Sequence, residues 1–334
     1  MPLQQALQQE AERLHKKLVN VGYNEGYCKI IAPLTLKIEQ LKKEKNAVVL
    51  AHSYQTPDIV YSVADFIGDS YQLSIAAQKT DAEVIVFSGV RFMAETAKIL
   101  NPSKTVLLPA PGAGCSLADA ITGEDVRALK KKYPGKPVVS YVNTTAEVKA
   151  ESDSCCTSSN ALKIVESFPG DELIFLPDKF MMQNLQEQTS KKLIGWDGTC
   201  IVHEDFSADK IDWFRKQHKG VKVLSHSECP PSVTHASDYV GGTNGMIDYV
   251  EKTEAPSFMI VTECGLADRM RVEHPEKAFI GMCSLCPYMK MNTLPMIEQV
   301  LRDPKEGQII LVDEDVRVKA EKALMKMFEI SNAS

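Results

Sequence analysis

The sequence contains no apolar run approaching the roughly 20 consecutive residues that span a bilayer. Its opening stretch, MPLQQALQQEAERLHKKL, is polar and helix-prone and lacks the apolar centre of a signal peptide. A cytoplasmic location is therefore expected. There is no long basic stripe and the net charge is −6, which makes nucleic acid a poor expectation for a partner. A small anionic substrate would have to be held by specific residues. The nine cysteines are odd in number, which excludes complete internal pairing. In a cytoplasmic chain most should be thiols, so metal binding or catalysis is the better reading for a cysteine in an unusual context. One more thing is missing. In GWDGTCIVHEDF, Cys200 and His203 have the spacing of half a metal site, but the neighbouring cysteines, Cys156 and Cys229, are too far along the chain to complete a local zinc loop.

The chain has 334 residues, 44% apolar and 25% charged, the composition of a globular protein with room for two or three domains. It repeats itself three times. A β-branched run ends in a polar triplet in AVVLAHSY, PVVSYVN and VKVLSHSE, aligning His52, Tyr141 and His226. A hydroxyl residue opening a helical pattern follows each: Ser70 in IGDSYQLSIAAQ, Ser158 in CCTSSNALKIVES and Thr243 in VGGTNGMIDYV. A second strand-like run comes next (AEVIVFSG, DELIFLPD, SFMIVTECG), then a helical segment and a last short strand. Each copy ends at a cysteine: Cys115, Cys200 and Cys286, spaced 85 and 86 residues apart.

Each copy is predicted to run strand, helix, helix, strand, helix, strand. Continuous Val/Ile/Leu strands separated by helices imply parallel sheets covered on both faces. The expected fold is α/β: three homologous αβα sandwich domains around a pseudo-threefold axis. The predicted boundaries are 1–46 for a leading helical segment, 47–115, 116–200 and 201–286 for the repeats, and 287–334 for a helical tail packing on them. Asp313 is a candidate cap for the last helix.

In open parallel sheets, ligands bind beyond the carboxyl ends of the strands. Three related domains facing one another would bring His52, Tyr141 and His226 to one cavity, and would make Cys115 and Cys286 the missing partners of Cys200. Three converging thiolates repel one another unless a cation joins them. Zinc with an open fourth position fits that donor set. An iron–sulfur cluster held by three cysteines, with one iron left open as a Lewis acid, fits it as well. Cys28 reads as packing, as do Cys155 and Cys156 at a helix start and Cys264, which breaks the repeat. Cys283 forms CSLC with Cys286, a redox pair or half a zinc site.

Ser70, Ser158 and Thr243 are expected to cap helices and to offer helix N-termini to an anionic substrate. His52 and His226 stand at strand ends, where a site role outweighs core burial. Two residues on stand Tyr54, Asn143 and Glu228, placed by period two on the same side as their partners. Glu228 is the expected general acid/base, its pKa raised by burial. His203 is expected to face the same cavity as Cys200.

The strings AHSYQ, GDS, YVNTTAEVKA, CCTSSNA, GTCIVHE, HSEC, GGTNGM and CPYMKMNTL closely resemble the quinolinate synthase family, over about residues 35 to 325. The resemblance implies three homologous α/β domains around a [4Fe-4S] cluster with three cysteine ligands and one open iron. It implies condensation of iminoaspartate with dihydroxyacetone phosphate to quinolinate, phosphate and water, early in NAD biosynthesis, with a functional link to an aspartate-oxidising enzyme. By motif, Cys115, Cys200 and Cys286 fall on the cluster-ligand positions. His52, Tyr54, Ser70, Tyr141, Asn143, Ser158, His203, His226, Glu228 and Thr243 fall on substrate or catalytic positions, with Glu228, Tyr54 and His226 moving protons. Some family members carry CxxCxxC at the last ligand; here its first position is Ile280, which removes the outer cysteine of a redox switch. Two rivals from other classes are a zinc hydrolase built on the same three cysteines and a non-catalytic iron–sulfur sensor or electron carrier.

Overall fold

The computed structural model describes residues 3–333. Twelve strands form three four-stranded parallel sheets, one from each repeat. The first repeat supplies β1 (Ala47–His52), β2 (Phe66–Gly68), β3 (Val84–Ser88) and β4 (Thr105–Leu107). The second supplies β5 (Val138–Tyr141), β6 (Ser154–Cys156), β7 (Glu172–Leu176) and β8 (Lys192–Ile194). The third supplies β9 (Lys222–His226), β10 (Tyr239–Gly241), β11 (Ser257–Val261) and β12 (Ala278–Ile280). The spatial orders are the same: β2-β1-β3-β4, β6-β5-β7-β8 and β10-β9-β11-β12.

This departs from the expected element string in one respect, repeated three times. A strand stands where the second helical segment was expected to begin: β2, β6 and β10, each three residues long. Three residues cannot show a period, and these strands take their identity from pairing with β1, β5 and β9. An aspartate anchors each edge strand. Asp65 Oδ2 accepts the N–H of Val49 at 2.7 Å, Asp153 Oδ2 that of Val138 at 2.7 Å, and Asp238 Oδ2 that of Val223 at 2.8 Å. Each aspartate also returns its own N–H to the carbonyl of that same residue. Cys155 and Cys156 are consequently in strand β6 and fully buried, not at a helix start.

The chain forms two compact units. One comprises the chain up to Ala113, with Glu263–Phe279 and Leu285–Ile310; the other comprises Gly114–Thr262, Ile280–Ser284 and the chain from Leu311. In the first, the leading residues form helices Leu3–Leu18 and Glu25–Glu44. Their apolar faces (Leu14, Leu18, Ile31, Ile38, Leu41) pack with Val49, Ile59 and Val86 and with Ile297 and Val300 of helix Leu294–Arg302. Cys28 is buried in that core, as its packing reading requires. In the second unit, Val126, Val148, Val138, Ile174 and Leu176 form a core cluster on the β5–β7 sheet. The final helix, Glu314–Asn332, starts at Asp313, whose side chain accepts the N–H groups of Asp315 and Val316. It packs against helix Ala146–Ala150 and strand β6. No helix among the described residues is long and apolar enough to cross a membrane.

Candidate active site

The strand order dictates where a site can form. From β1 the chain steps outward to β2, then returns past β1 to β3, so the direction reverses between the two central strands. The crevice at such a switch point opens beyond the carboxyl ends of the strands. His52, Tyr141 and His226 are the last residues of β1, β5 and β9. The strands stop there and the chain turns, so period two does not govern the residues beyond. The histidines hold the turns instead. His52 Nδ1 accepts the N–H of Tyr54 at 3.1 Å, and His226 Nδ1 accepts the N–H of Glu228 at 3.3 Å. In the neutral imidazole this puts the proton of each ring on Nε2.

Within the second unit the turn after β9 brings four predicted residues together. Tyr141 donates its hydroxyl to Glu228 Oε1 at 2.6 Å, and His203 Nδ1 lies 2.9 Å from Glu228 Oε2. His203 Nε2 is 2.7 Å from Thr262 Oγ1, the residue just past β11. The rings of His203 and His226 stack with centroids 4.6 Å apart. Glu228, His203 and His226 are each at most 3% exposed.

A buried carboxylate in that position is expected to be protonated more easily, and burial does push Glu228 upward. The imidazoles of His226 and His203 and the hydrogen bonds from His203 and Tyr141 outweigh it and hold the carboxyl below its ordinary range. The expectation of a raised Glu228 pKa is therefore corrected: Glu228 is an ionised acceptor. His203 then donates from Nδ1, and its Nε2 is bonded to the Thr262 hydroxyl. His226 goes the other way. Burial, partly opposed by Glu228, lowers it to about 4, so it is neutral.

The hydroxyl landmarks do not cap helices. Asp69 caps helix Ser70–Lys79 through a reciprocal pair with Gln72, which leaves Ser70 as the first helical residue. Gly242 caps helix Thr243–Lys252, and Asn160 precedes helix Ala161–Ser167, three residues before which no cap is required of Ser158. Ser158 and the start of the Thr243 helix nevertheless meet. A Cβ on Gly242 would stand 2.3 Å from Ser158 Oγ, so a larger residue there would displace that hydroxyl. Asn143 Oδ1 is buried without a hydrogen-bond partner, as are the hydroxyls of Ser225 and Ser227 on either side of His226. Buried acceptors are rarely left unpaired without a functional reason.

Seven cysteines are free thiols. Cys28, Cys155, Cys156 and Cys229 are fully buried; Cys115, Cys200 and Cys286, the repeat cysteines, retain some access. In the second unit Ser116 Oγ donates to the Thr199 carbonyl at 3.0 Å and accepts the Ile201 N–H at 3.2 Å. It thus clasps the residues on both sides of Cys200 beside Cys115. Burial pushes the Cys200 thiol well up, and negative charge on Glu228 and Cys115 adds to it. Opposing this, the N–H groups of His203 and Val202 face its sulfur. Cys200, His203 and Glu228 offer donor atoms within 4.8 Å of one another. Sulfur supplied with N–H donors, yet costly to ionise without a counter-charge, suits metal ligation. Cys286, in the first unit, has the same character: burial raises it while the N–H groups of Met289 and Tyr288 face its sulfur. Cys264 is buried, and the CSLC pair is not closed on itself, since Cys286 is free.

Of the remaining predicted residues, His52, Tyr54 and Ser70 lie in the first unit, where the His52 and Tyr54 rings meet edge to face at 4.6 Å. Sequence reasoning missed Thr262, and also Asp178 and Glu263, which cap the helices following β7 and β11. The latter two follow equivalent strands in FLPDK and VTECG, and that alignment was the available signal. Asp178 also forms a bridge with Gly198, two residues before Cys200.

A family model described as quinolinate synthetase A protein, NadA, matches residues 36–329. Quinolinate synthase 2 of Mesorhizobium japonicum is 49% identical over 293 residues, covering 88% of this chain and 90% of the relative. The quinolinate synthase of Sinorhizobium fredii is 48% identical over 299 residues, covering 90% and 83%. That of Agrobacterium fabrum is 49% identical over 293 residues, covering 88% and 84%. The match spans all three sheets and every candidate site residue named above, and the chain belongs to the quinolinate synthetase A protein family.

Proposed function

We propose that this chain condenses iminoaspartate with dihydroxyacetone phosphate, giving quinolinate, phosphate and water, a step of NAD biosynthesis in the cytoplasm. A [4Fe-4S] cluster held by Cys115, Cys200 and Cys286 is part of the proposal. When bound, it supplies a Lewis acid with one open iron for dehydration. The observation that carries the reading is the buried Tyr141–Glu228–His203–Thr262 chain of hydrogen bonds beside Cys200. A carboxylate sequestered from water and aimed by two donors is placed to accept a proton in one fixed orientation.

Glu228 is the base. Its carboxylate takes up a substrate proton while Tyr141 and His203 hold it in one orientation. His226 offers a neutral Nε2–H, a donor that can polarise a carbonyl without surrendering a full charge. Tyr54 is assigned a further proton transfer. Asn143, Ser158 and Thr243, with His52, Ser70 and His203, bind and orient the carboxylates and phosphate of the two substrates. Iminoaspartate must come from an enzyme that oxidises aspartate.

The test is anaerobic purification with iron and sulfide analysis and a quinolinate assay, repeated on Glu228→Gln. Retained iron and sulfide with lost turnover supports the assignment. A variant that turns over like the parent overturns it. The Cys200, His203 and Glu228 donors favour a second reading, a mononuclear zinc enzyme. A colourless protein with one zinc and no sulfide would establish that reading instead.

A further inference from the structure

Glu263 is a carboxylate with a side chain wholly shut off from solvent, and its partners are all in the first unit. Its Oε2 accepts the Gly265 N–H at 2.7 Å, which caps helix Cys264–Glu273. Its Oε1 does two other things. It pairs with Lys290 Nζ at 2.8 Å and accepts the N–H of Cys286 at 3.2 Å. Lys290 in turn donates to the carbonyl of Tyr54. The Lys290 N–H closes a single turn onto the Cys286 carbonyl at 3.2 Å, so the cysteine and the lysine belong to one short rigid piece of chain.

The Tyr54 segment is gripped on its other sides as well. A Cβ on Gly265 would lie 2.8 Å from the Tyr54 main chain, so the capped helix sits directly against it. Arg269 of that helix donates to Ser53 Oγ at 2.8 Å. Gln55 Nε2 donates to the Met289 carbonyl at 2.9 Å.

Stability alone does not account for this arrangement. A buried ion pair gains little over apolar residues of the same size, because both charges must be stripped of water. What the pair does supply is a fixed connection between two main-chain segments. We propose that Glu263 and Lys290 are positioning residues that lock the Cys286 turn to the Tyr54 loop, so that the placement of a metal-ligating sulfur and of a proton-transferring phenol are set together. This rests on the reading of Cys286 as a ligand and Tyr54 as a site residue. It assigns roles to two residues that touch neither substrate nor metal.

The test uses the anaerobically loaded protein. Single changes at either position strand a buried charge, so the decisive variant removes both: Glu263→Gln with Lys290→Met. Lys290→Arg, which keeps the charge and the donors, is its control. The readouts are iron and sulfide content, the rate of iron release to a chelator, and kcat and KM separately. Loss of supporting interactions around a metal ligand typically costs about 10- to 100-fold in affinity or activity. The double variant should therefore fold and load, release iron about tenfold faster or more, and lose kcat with KM little changed. Lys290→Arg should recover part of both. In a Tyr54→Phe background, Lys290→Met together with Glu263→Gln should cost much less kcat than in the parent, whereas Lys290→Met alone would also strand the buried Glu263 charge.

Iron release and kcat both within twofold of the parent in the double variant would overturn the proposal. So would equal kcat losses from the double variant with and without Tyr54. A parent that takes up no iron and sulfide would overturn the ligand reading itself, and the coupling with it.

Discussion

Tyr141 and Glu228, 87 residues apart in the chain, share a buried hydrogen bond of 2.6 Å between the phenol hydroxyl and Oε1. The end of β5 is thereby tied to the turn after β9. The bond helps keep the carboxylate charged in a place where burial alone would neutralise it. The carboxylate and the phenol that helps keep it ionised thus come from different repeats.

Removing that phenol should be visible in the pH profile. A hydrogen bond to a charged group contributes about 1.5–3 kcal/mol. Tyr141→Phe withdraws a contact that lowers the Glu228 pKa, so the pKa rises. The acid limb of kcat/KM for quinolinate formation should move to higher pH, with a lower plateau. Glu228→Gln should cost about 10²- to 10⁴-fold in kcat. An acid limb in Tyr141→Phe that coincides with the parent's would show that the bond does not tune the base.

The cysteines divide into two groups by access, and their variants should divide the same way. Cys115→Ala, Cys200→Ala and Cys286→Ala should each lose the iron, the sulfide and the visible absorbance of anaerobically prepared protein. Cys28→Ala, a change in an apolar core, should keep all three and lose only stability. Full iron content in any of the first three variants would remove that cysteine from the ligand set.

His226 should make stability depend on acid. Its folded pKa of about 4 lies below the value of 6.5 for an unfolded histidine. Between those values the unfolded chain binds the extra proton, so stability rises with pH through that window and is lost as pH falls. The full difference is on the order of 3 kcal/mol. His226→Gln should flatten this slope in urea unfolding midpoints of chelator-treated protein, compared at pH 4.5 and 7. Parallel midpoints for parent and variant would remove His226 as the cause.

Asp178 should respond in the opposite sense. Its Oδ1 caps a helix at the Met181 N–H, 2.7 Å away, and its buried Oδ2 has no partner. Burial and the neighbouring Glu228 push its carboxyl well up. The folded state then binds the proton more tightly than the unfolded chain, so Asp178 contributes less stability as pH rises above about 4. Asp178→Asn keeps a capping acceptor and discards the charge. It should match or exceed the parent at pH 8. Asp178→Ala forfeits the cap, a loss of about 1 kcal/mol. Urea midpoints at pH 5 and 8 decide the matter: Asn behaving like Ala would contradict an upward-shifted Asp178.

Much of the architecture was legible because it is written three times. The β-branched runs around Val48, Val138 and Val223 became central strands. Their terminal residues, His52, Tyr141 and His226, stand at carboxyl ends of strands, the side of an open α/β sheet on which ligands bind. The edge strands were not legible. Phe66–Gly68, Ser154–Cys156 and Tyr239–Gly241 are too short for a pattern, and it is the pairing partner that makes them strands. The caps were misread for a related reason. Asp69 and Ser70 are both good capping residues, and only the backbone geometry chooses the aspartate.

By itself the sequence determined the triplication, the α/β class, the three cysteines that stand apart and the residue types available for proton transfer. These depend on local period and on spacing along the chain, which a linear string records in full. Tertiary structure alone decided the direction in which the buried carboxyls shift. Glu228 and Asp178 are both buried carboxyls, yet the first is shifted down and the second up: two imidazoles and a phenol converge on Glu228, while burial and the charge of Glu228 act on Asp178. A pKa is set by what surrounds a group in space, and at both sites those neighbours come from distant parts of the chain.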